Sequence, residues 1–133
     1  MNDPDAYAAA VRLLSASDKT PGELSRRLSE KGFDAAAVSA ALARLSAEGF
    51  LNEERLARRT VEKLYEKYYG PSYIEEYVKR KEFSEDAVRY VRSLCGGIDF
   101  NAKAKEFVRE QIASGKTKAA ALSALYRRGF EIE

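Results

Sequence analysis

The chain has no histidine, one cysteine, three prolines and eight glycines among its 133 residues. Without histidine, the usual general base and a principal zinc ligand are missing, and no cluster of cysteines replaces them. No motif sets a nucleophile against a base: the acids Glu75 and Glu76 are sequence neighbours, which on a helix point in different directions. A non-enzymatic protein is expected, with no catalytic residue, no metal and no cofactor. The lone Cys95 has no partner for an internal disulfide, which is compatible with a reducing cytosol. No apolar run approaches the roughly 18 residues that span a bilayer. The amino-terminal MNDPDAYAAAV is acidic where a secretory signal would be basic. A cytoplasmic protein without membrane contact follows as the expectation.

What is abundant is helix-forming material. The sequence is rich in Ala, Leu, Glu, Lys and Arg, and its 45% apolar and 33% charged content suits a soluble helical protein. Charge is nearly balanced, 23 basic against 21 acidic residues, but it drifts along the chain. Residues 1–50 carry six basic and seven acidic groups, residues 51–97 ten and nine, and residues 98–133 seven and five. So small a drift does not indicate phosphate binding by bulk charge, and any basic surface must be local.

The dominant pattern is a repeat. Thr20-Pro21 and Phe33 recur 50 residues later as Gly70-Pro71 and Phe83, and Thr117 and Phe130 lie 47 residues beyond Gly70 and Phe83. The same 50-residue shift pairs Val11 with Val61, Leu14 with Leu64, Leu24 with Ile74, Leu28 with Val78, Val38 with Val88, Ala41 with Val91 and Leu45 with Cys95. Shared positions are mainly the inward ones, so a repeated three-helix unit is the simplest cause. Caps fall at its joints: Asp3 before Pro4, Thr20 with Glu23 three residues on, Asp34, Asn52 and Thr117. Gly32 has the freedom to close the second helix in the left-handed conformation, which folds Phe33 back onto the core. An all-α array of stacked repeats is expected, elongated and curved, with units at 1–51, 52–97 and 98–133. In the last unit, helices running through Phe107, Val108 and Ile112 and through Leu122 and Leu125 lack a third helix, which should leave them partly uncovered.

The segments ASDKTPGELSRRLSEKGFDAAAV, EGFLNEERLARRTVEK and YYGPSYIEEYVKRK, taken in order, resemble the bacterial RecX regulatory proteins, and the likeness covers nearly the whole chain. The resemblance implies tandem three-helix repeats that bind the RecA recombinase filament, lie along its groove and restrain filament growth, ATP hydrolysis and strand exchange. A monomer is expected, and weak contact with single- or double-stranded DNA is a further reading of the partners. Two other functions stay open: an autonomous helical DNA-binding module, and a helical adaptor for another protein.

Candidate contact residues are basic or aromatic. Lys31, Lys81 and Arg128 share one repeat position at the end of the second helix of each unit, where positive charge stabilises the negative helix end. Capping does not demand Arg26, Arg27, Lys79, Arg80 and Arg127 beside them. Arg55, Arg59 and Lys63 fall at four-residue spacing on one face of the fourth helix, with Arg58 adjacent and Lys67 beyond. Pairing with Glu62 and Glu66 across a turn is the plainer account of that face. Six of the eight tyrosines lie between positions 65 and 90. Filling space between helices is their ordinary role, while Tyr69 and Tyr73, flanking the turn, are the best placed to stack on a partner. Gly115-Lys116-Thr117 is read as a helix cap, since position 110, where a phosphate loop needs glycine, is Glu. Cys95, at the place of Leu45, is read as a small core residue.

Overall fold

The computed structural model describes residues 3–131, and the described residues form eight helices and no strand. These are α1 (Asp3–Ala16), α2 (Pro21–Glu30), α3 (Ala35–Ala47), α4 (Glu53–Glu66), α5 (Pro71–Arg80), α6 (Glu85–Gly96), α7 (Phe100–Ala113) and α8 (Lys118–Arg127). None of them is long and apolar enough to cross a membrane.

Local chemistry sets their ends. Thr20 Oγ1 accepts the Glu23 amide while the Glu23 carboxylate accepts the Thr20 amide, a full capping box with Pro21 in the first turn. Side chains of Asp34, Asn52, Ser84, Asp99 and Thr117 likewise accept an amide at the starts of α3, α4, α6, α7 and α8. α1 already includes Asp3, read from the sequence as the cap preceding it. Lys31, Lys81 and Arg128 are the C-terminal caps of α2, α5 and α8. The next residue is left-handed in each case: Gly32 at φ 97°, Glu82 at 62° and Gly129 at 86°. The amides of Phe33, Phe83 and Phe130 then donate back to Leu28, Val78 and Leu125 carbonyls, and each ring is less than a tenth exposed.

Helices pack in successive groups. α1 to α3 enclose Ala6, Ala10, Leu24, Leu28, Phe33, Val38 and Leu45, and α4 to α6 enclose Ala57, Val61, Ile74, Val78, Phe83 and Val91. Two helices, α7 and α8, and Phe130 after them carry the third cluster, on Phe107, Leu125 and Phe130, with Tyr68 of the α4–α5 connection packed against it. Ile112 and Tyr126 stand 47% and 73% exposed on these two helices. This is the partial uncovering expected of two helices without a third. Val11 is a correction, being 38% exposed where Val61 is buried. α1 instead turns Ala6 and Ala10 inward against the counterparts Ala57 and Val61, a shift of 51 rather than 50. Alanine carries little hydrophobic signal, yet its small side chain lets α1 lie close against α3.

Neighbouring groups touch through helix ends. The Thr20 hydroxyl donates to the Lys81 carbonyl at 2.8 Å, and Arg26 Nε to Glu82 Oε1 at 2.7 Å, so the first turns of α2 abut the end of α5. The first turn of α5 meets the end of α8 in the same way: the Gly70 amide donates to the Arg128 carbonyl at 2.7 Å, the Ser72 amide to the Gly129 carbonyl at 3.2 Å. Positive helix starts thus face negative helix ends, and groups that a helix leaves orphaned satisfy one another. Such end-on contact leaves much surface exposed: 8211 Å², against about 7,000 Å² for a compact monomer of this mass.

Two measurements check this account. Phe83→Ala should lower unfolding free energy by about 3–5 kcal/mol in urea melts. A Cβ on Gly22 would lie 2.3 Å from the Glu82 carbonyl oxygen, so Gly22→Ala should open the α2–α5 joint and raise the radius of gyration in small-angle scattering, with helicity retained.

Candidate partner-binding groove

A groove of about 980 Å³ runs along the joint between the first and second helix groups. One wall is the α1–α2 connection and the start of α2, and the other is α4 with the faces of α5 that carry tyrosine. Arg27, Arg59, Lys63, Lys67, Tyr69, Tyr73 and Lys81, seven of the residues singled out from the sequence, border it together. Residues separated by more than 50 positions share this surface because Thr20 docks the first group onto the Lys81 carbonyl.

Basic side chains outnumber acidic ones along the lining, Lys19, Arg27, Arg59, Lys63, Lys67 and Lys81 against Asp18, Glu23, Glu62 and Glu66. Asp18 and Arg59 face each other at 3.9 Å. Glu23 is committed to the capping box, Glu66 on the lining pairs with Lys103 Nζ at 3.9 Å, and Glu62 lines the groove as well. The ion pairs expected between Glu62 or Glu66 and the basic residues of α4 do not form. Arg27, Lys63 and Lys67 therefore reach the groove with no acidic side-chain partner among the described residues. Lys19, a buried wall residue, donates to the carbonyl of Leu13 and to Ser17, closing α1.

The tyrosines form a ladder. Tyr69 and Tyr73 stack with ring centroids 4.0 Å apart and 17° between planes, and Tyr77 follows at 6.4 Å. Gly70-Pro71 makes this geometry by ending one connection and starting α5 within a single turn. Arg128 lies 4.5 Å from the Tyr69 centroid, while Arg80 lies 5.8 Å and 5.9 Å from those of Tyr73 and Tyr77. The rings are half-buried against the second core, so they fill space on one side and border the groove on the other.

Other candidates stand elsewhere. Arg58 donates to the Tyr90 hydroxyl at 2.6 Å, toward α6. Arg26 is held by Glu30 and Glu82, and Lys79 by Glu75 and Glu76. Arg128 donates to the Lys67 and Tyr68 carbonyls at 2.6 and 2.8 Å, tying α8 to the end of α4. Arg55 borders a small adjoining cavity with Arg59, and Lys31 and Arg127 are exposed away from the groove lining. Asp18, Lys19 and Lys103 were not legible as participants. Lys103 is 7% exposed, its ammonium 4.9 and 4.5 Å from the rings of Tyr65 and Tyr68. A second, smaller cleft of about 460 Å³ beside α6 includes Cys95.

The comparisons with known proteins agree with this architecture. A family model described as RecX, first three-helix domain, matches residues 6–45. The regulatory protein RecX of Xanthomonas campestris pv. campestris (strain B100) is 30% identical over 129 residues, covering 92% of this chain and 78% of its own length. The chain belongs to the RecX family. A shorter match, to the regulatory protein RecX of Trichlorobacter lovleyi, is 44% identical over 61 residues, and the chain spans 40% of that relative's length. A crystal structure of regulatory protein RecX superposes with a TM-score of 0.72 at 16% identity, over 97% of this chain and 67% of the other. The RecX of Lactobacillus salivarius gives 0.61 at 14% identity, over 93% and 96%. These two likenesses carry the fold: RecX chains share the three-helix groups seen here.

Burial of the Cys95 thiol in the smaller cleft, chiefly by desolvation, raises its pKa above the ordinary value. Less thiolate at a given pH means slower attack. Ellman's reagent at pH 8 should therefore label this cysteine more slowly than free cysteine, and denaturant should restore the free rate.

Proposed function

We propose that this RecX-family chain acts as a cytoplasmic monomer that binds the RecA recombinase filament and restrains its growth, ATP hydrolysis and strand exchange. The observation that carries the proposal is the groove between the first two groups, where Arg27, Lys63 and Lys67 stand without acidic partners beside a tyrosine ladder. Three apolar clusters, the second and third sharing Phe100, support units at 1–51, 52–97 and 98–133 as the elements that lie successively along a filament. A repeated partner suits a repeated binder, since each unit engages at high effective concentration once its neighbour is seated.

An autonomous DNA-reading module is less well supported. Its reading helix would have to be α3 or α6, whose bases of recognition would be long polar side chains. On α3, Arg44 lies 3.7 Å from the Tyr7 ring centroid and pairs with Glu48, so the basic group in its last turn is occupied.

The experiment is an ATPase titration of RecA filaments on single-stranded DNA. The protein should depress filament-dependent hydrolysis in a saturable manner, and an absence of effect at excess protein would reject the proposal. Arg59→Glu with Lys63→Glu should raise the half-inhibitory concentration by about tenfold, ~1.4 kcal/mol, with unchanged circular dichroism. Steeply salt-dependent binding to bare DNA with no effect on RecA would instead favour the DNA-binding reading. Capture of a different protein with neither effect would favour an adaptor.

A further inference from the structure

We infer that Phe50 is the anchor of a protein-binding surface, inserting into an apolar pocket of the partner whose rim carries a carboxylate for Arg55. This rests on the proposed function and identifies which part of the surface meets protein rather than DNA.

The ring is 66% exposed, yet its backbone is fixed. Gly49 is left-handed at φ 81°, and the amides of Phe50 and Leu51 both donate to the Leu45 carbonyl, at 3.0 and 3.3 Å. Leu51 is buried in the first core and pins the turn from beneath. An aromatic presented on so rigid a turn loses little conformational entropy when it is buried by a partner.

The repeat shows that the fold does not require it. After α6, Ile98 packs on the second core as Leu51 does on the first, but the connection is three residues shorter, four positions from Cys95 to the cap Asp99 against seven from Leu45 to the cap Asn52. The second unit makes its passage to the next helix without the Gly49–Phe50 turn, which the first adds and which displays a phenyl ring to water. An exposed ring with no structural counterpart is a feature to be explained by what it touches in a complex.

Its surroundings indicate the occupant. Arg55 Nη2 donates to the Gly49 carbonyl at 3.4 Å, which holds the guanidinium beside the ring. Phe50, Arg55 and Arg59 border one small cavity of about 40 Å³ whose floor includes Leu14, Leu51 and Leu56. Aromatic rings and arginines over an apolar floor are the composition of protein interface centres. A nucleic acid strand suits the place less well. A strand needs successive stacking platforms, and this cavity offers a single ring.

The test compares Phe50→Ala and Phe50→Leu with the unsubstituted protein. Each is titrated into RecA filaments on single-stranded DNA, with ATPase inhibition and co-sedimentation as readouts. Binding to the same DNA without RecA is followed by fluorescence anisotropy. Phe50→Ala should weaken filament binding roughly ten- to hundredfold and Phe50→Leu by less, while melting temperature and affinity for bare DNA stay unchanged. Undiminished filament binding by Phe50→Ala overturns the anchor while leaving the proposed function standing. A loss of affinity for bare DNA also overturns it, assigning the ring to nucleic acid. If the unsubstituted protein does not bind filaments, the proposed function fails and the anchor with it.

Discussion

The arrangement of this chain depends on the contact between the start of one helix and the end of another. A helix leaves its first amides and last carbonyls without internal partners. Here the Gly70 and Ser72 amides at the start of α5 meet the Arg128 and Gly129 carbonyls at the end of α8, and the Thr20 hydroxyl meets the Lys81 carbonyl at the end of α5. Burying these groups unpaired would be unfavourable by about 1–3 kcal/mol each. The joints therefore fix the order and orientation of the groups. Close approach is what makes the contact work, and Gly22, Gly70 and Gly129 permit it: any of them with a Cβ would meet backbone at under 2.6 Å.

The two joints differ in character, and the groove lies at the more polar one. Between the second and third groups, Phe100 packs against both Tyr65 and Phe130, and Tyr68 against Phe107, so aromatic surface wraps the joint. Between the first and second, the ties are the Thr20 hydroxyl and the pairs Arg26–Glu82 and Asp18–Arg59, all but the threonine partly or largely exposed. Exposed ion pairs contribute little and weaken with salt. The surface that gathers the basic residues is thus built across the more compliant of the two joints.

Spacing carried most of the fold. Positions whose burial is demanded in each unit, Leu24 with Ile74 and Phe33 with Phe83, repeat as large apolar residues, and the caps Thr20, Asp34, Asn52 and Thr117 advertise helix starts through their hydroxyls, amide and carboxylate. α1 escaped this logic because its inward face is alanine, and the stronger hydrophobicity of Val11 drew attention to the wrong side. Glu82 was invisible as a left-handed residue because its conformation is imposed by the same turn that glycine makes at Gly32 and Gly129. For the groove, composition identified which residues are basic but not which are neutralised. Glu66 is three residues from Lys63 yet pairs with Lys103 of a different helix, and Arg58 and Arg59 are sequence neighbours whose side chains go to α6 and to the α1–α2 connection. Such partners are set by packing across dozens of residues.

The first apolar core is assembled wholly from residues between Ala6 and Leu51. Among the described residues nothing later contributes to it, and the Thr20 capping box and the Gly32–Phe33 turn that shape it are equally local. Contacts of such short sequence separation form quickly, because little chain entropy is lost in closing them. On a ribosome releasing the chain from its amino terminus, this group has all its core residues available before α5 exists. The later groups are then added to a folded neighbour whose exposed α2 start is ready to receive the end of α5, so that synthesis and assembly run in the same direction.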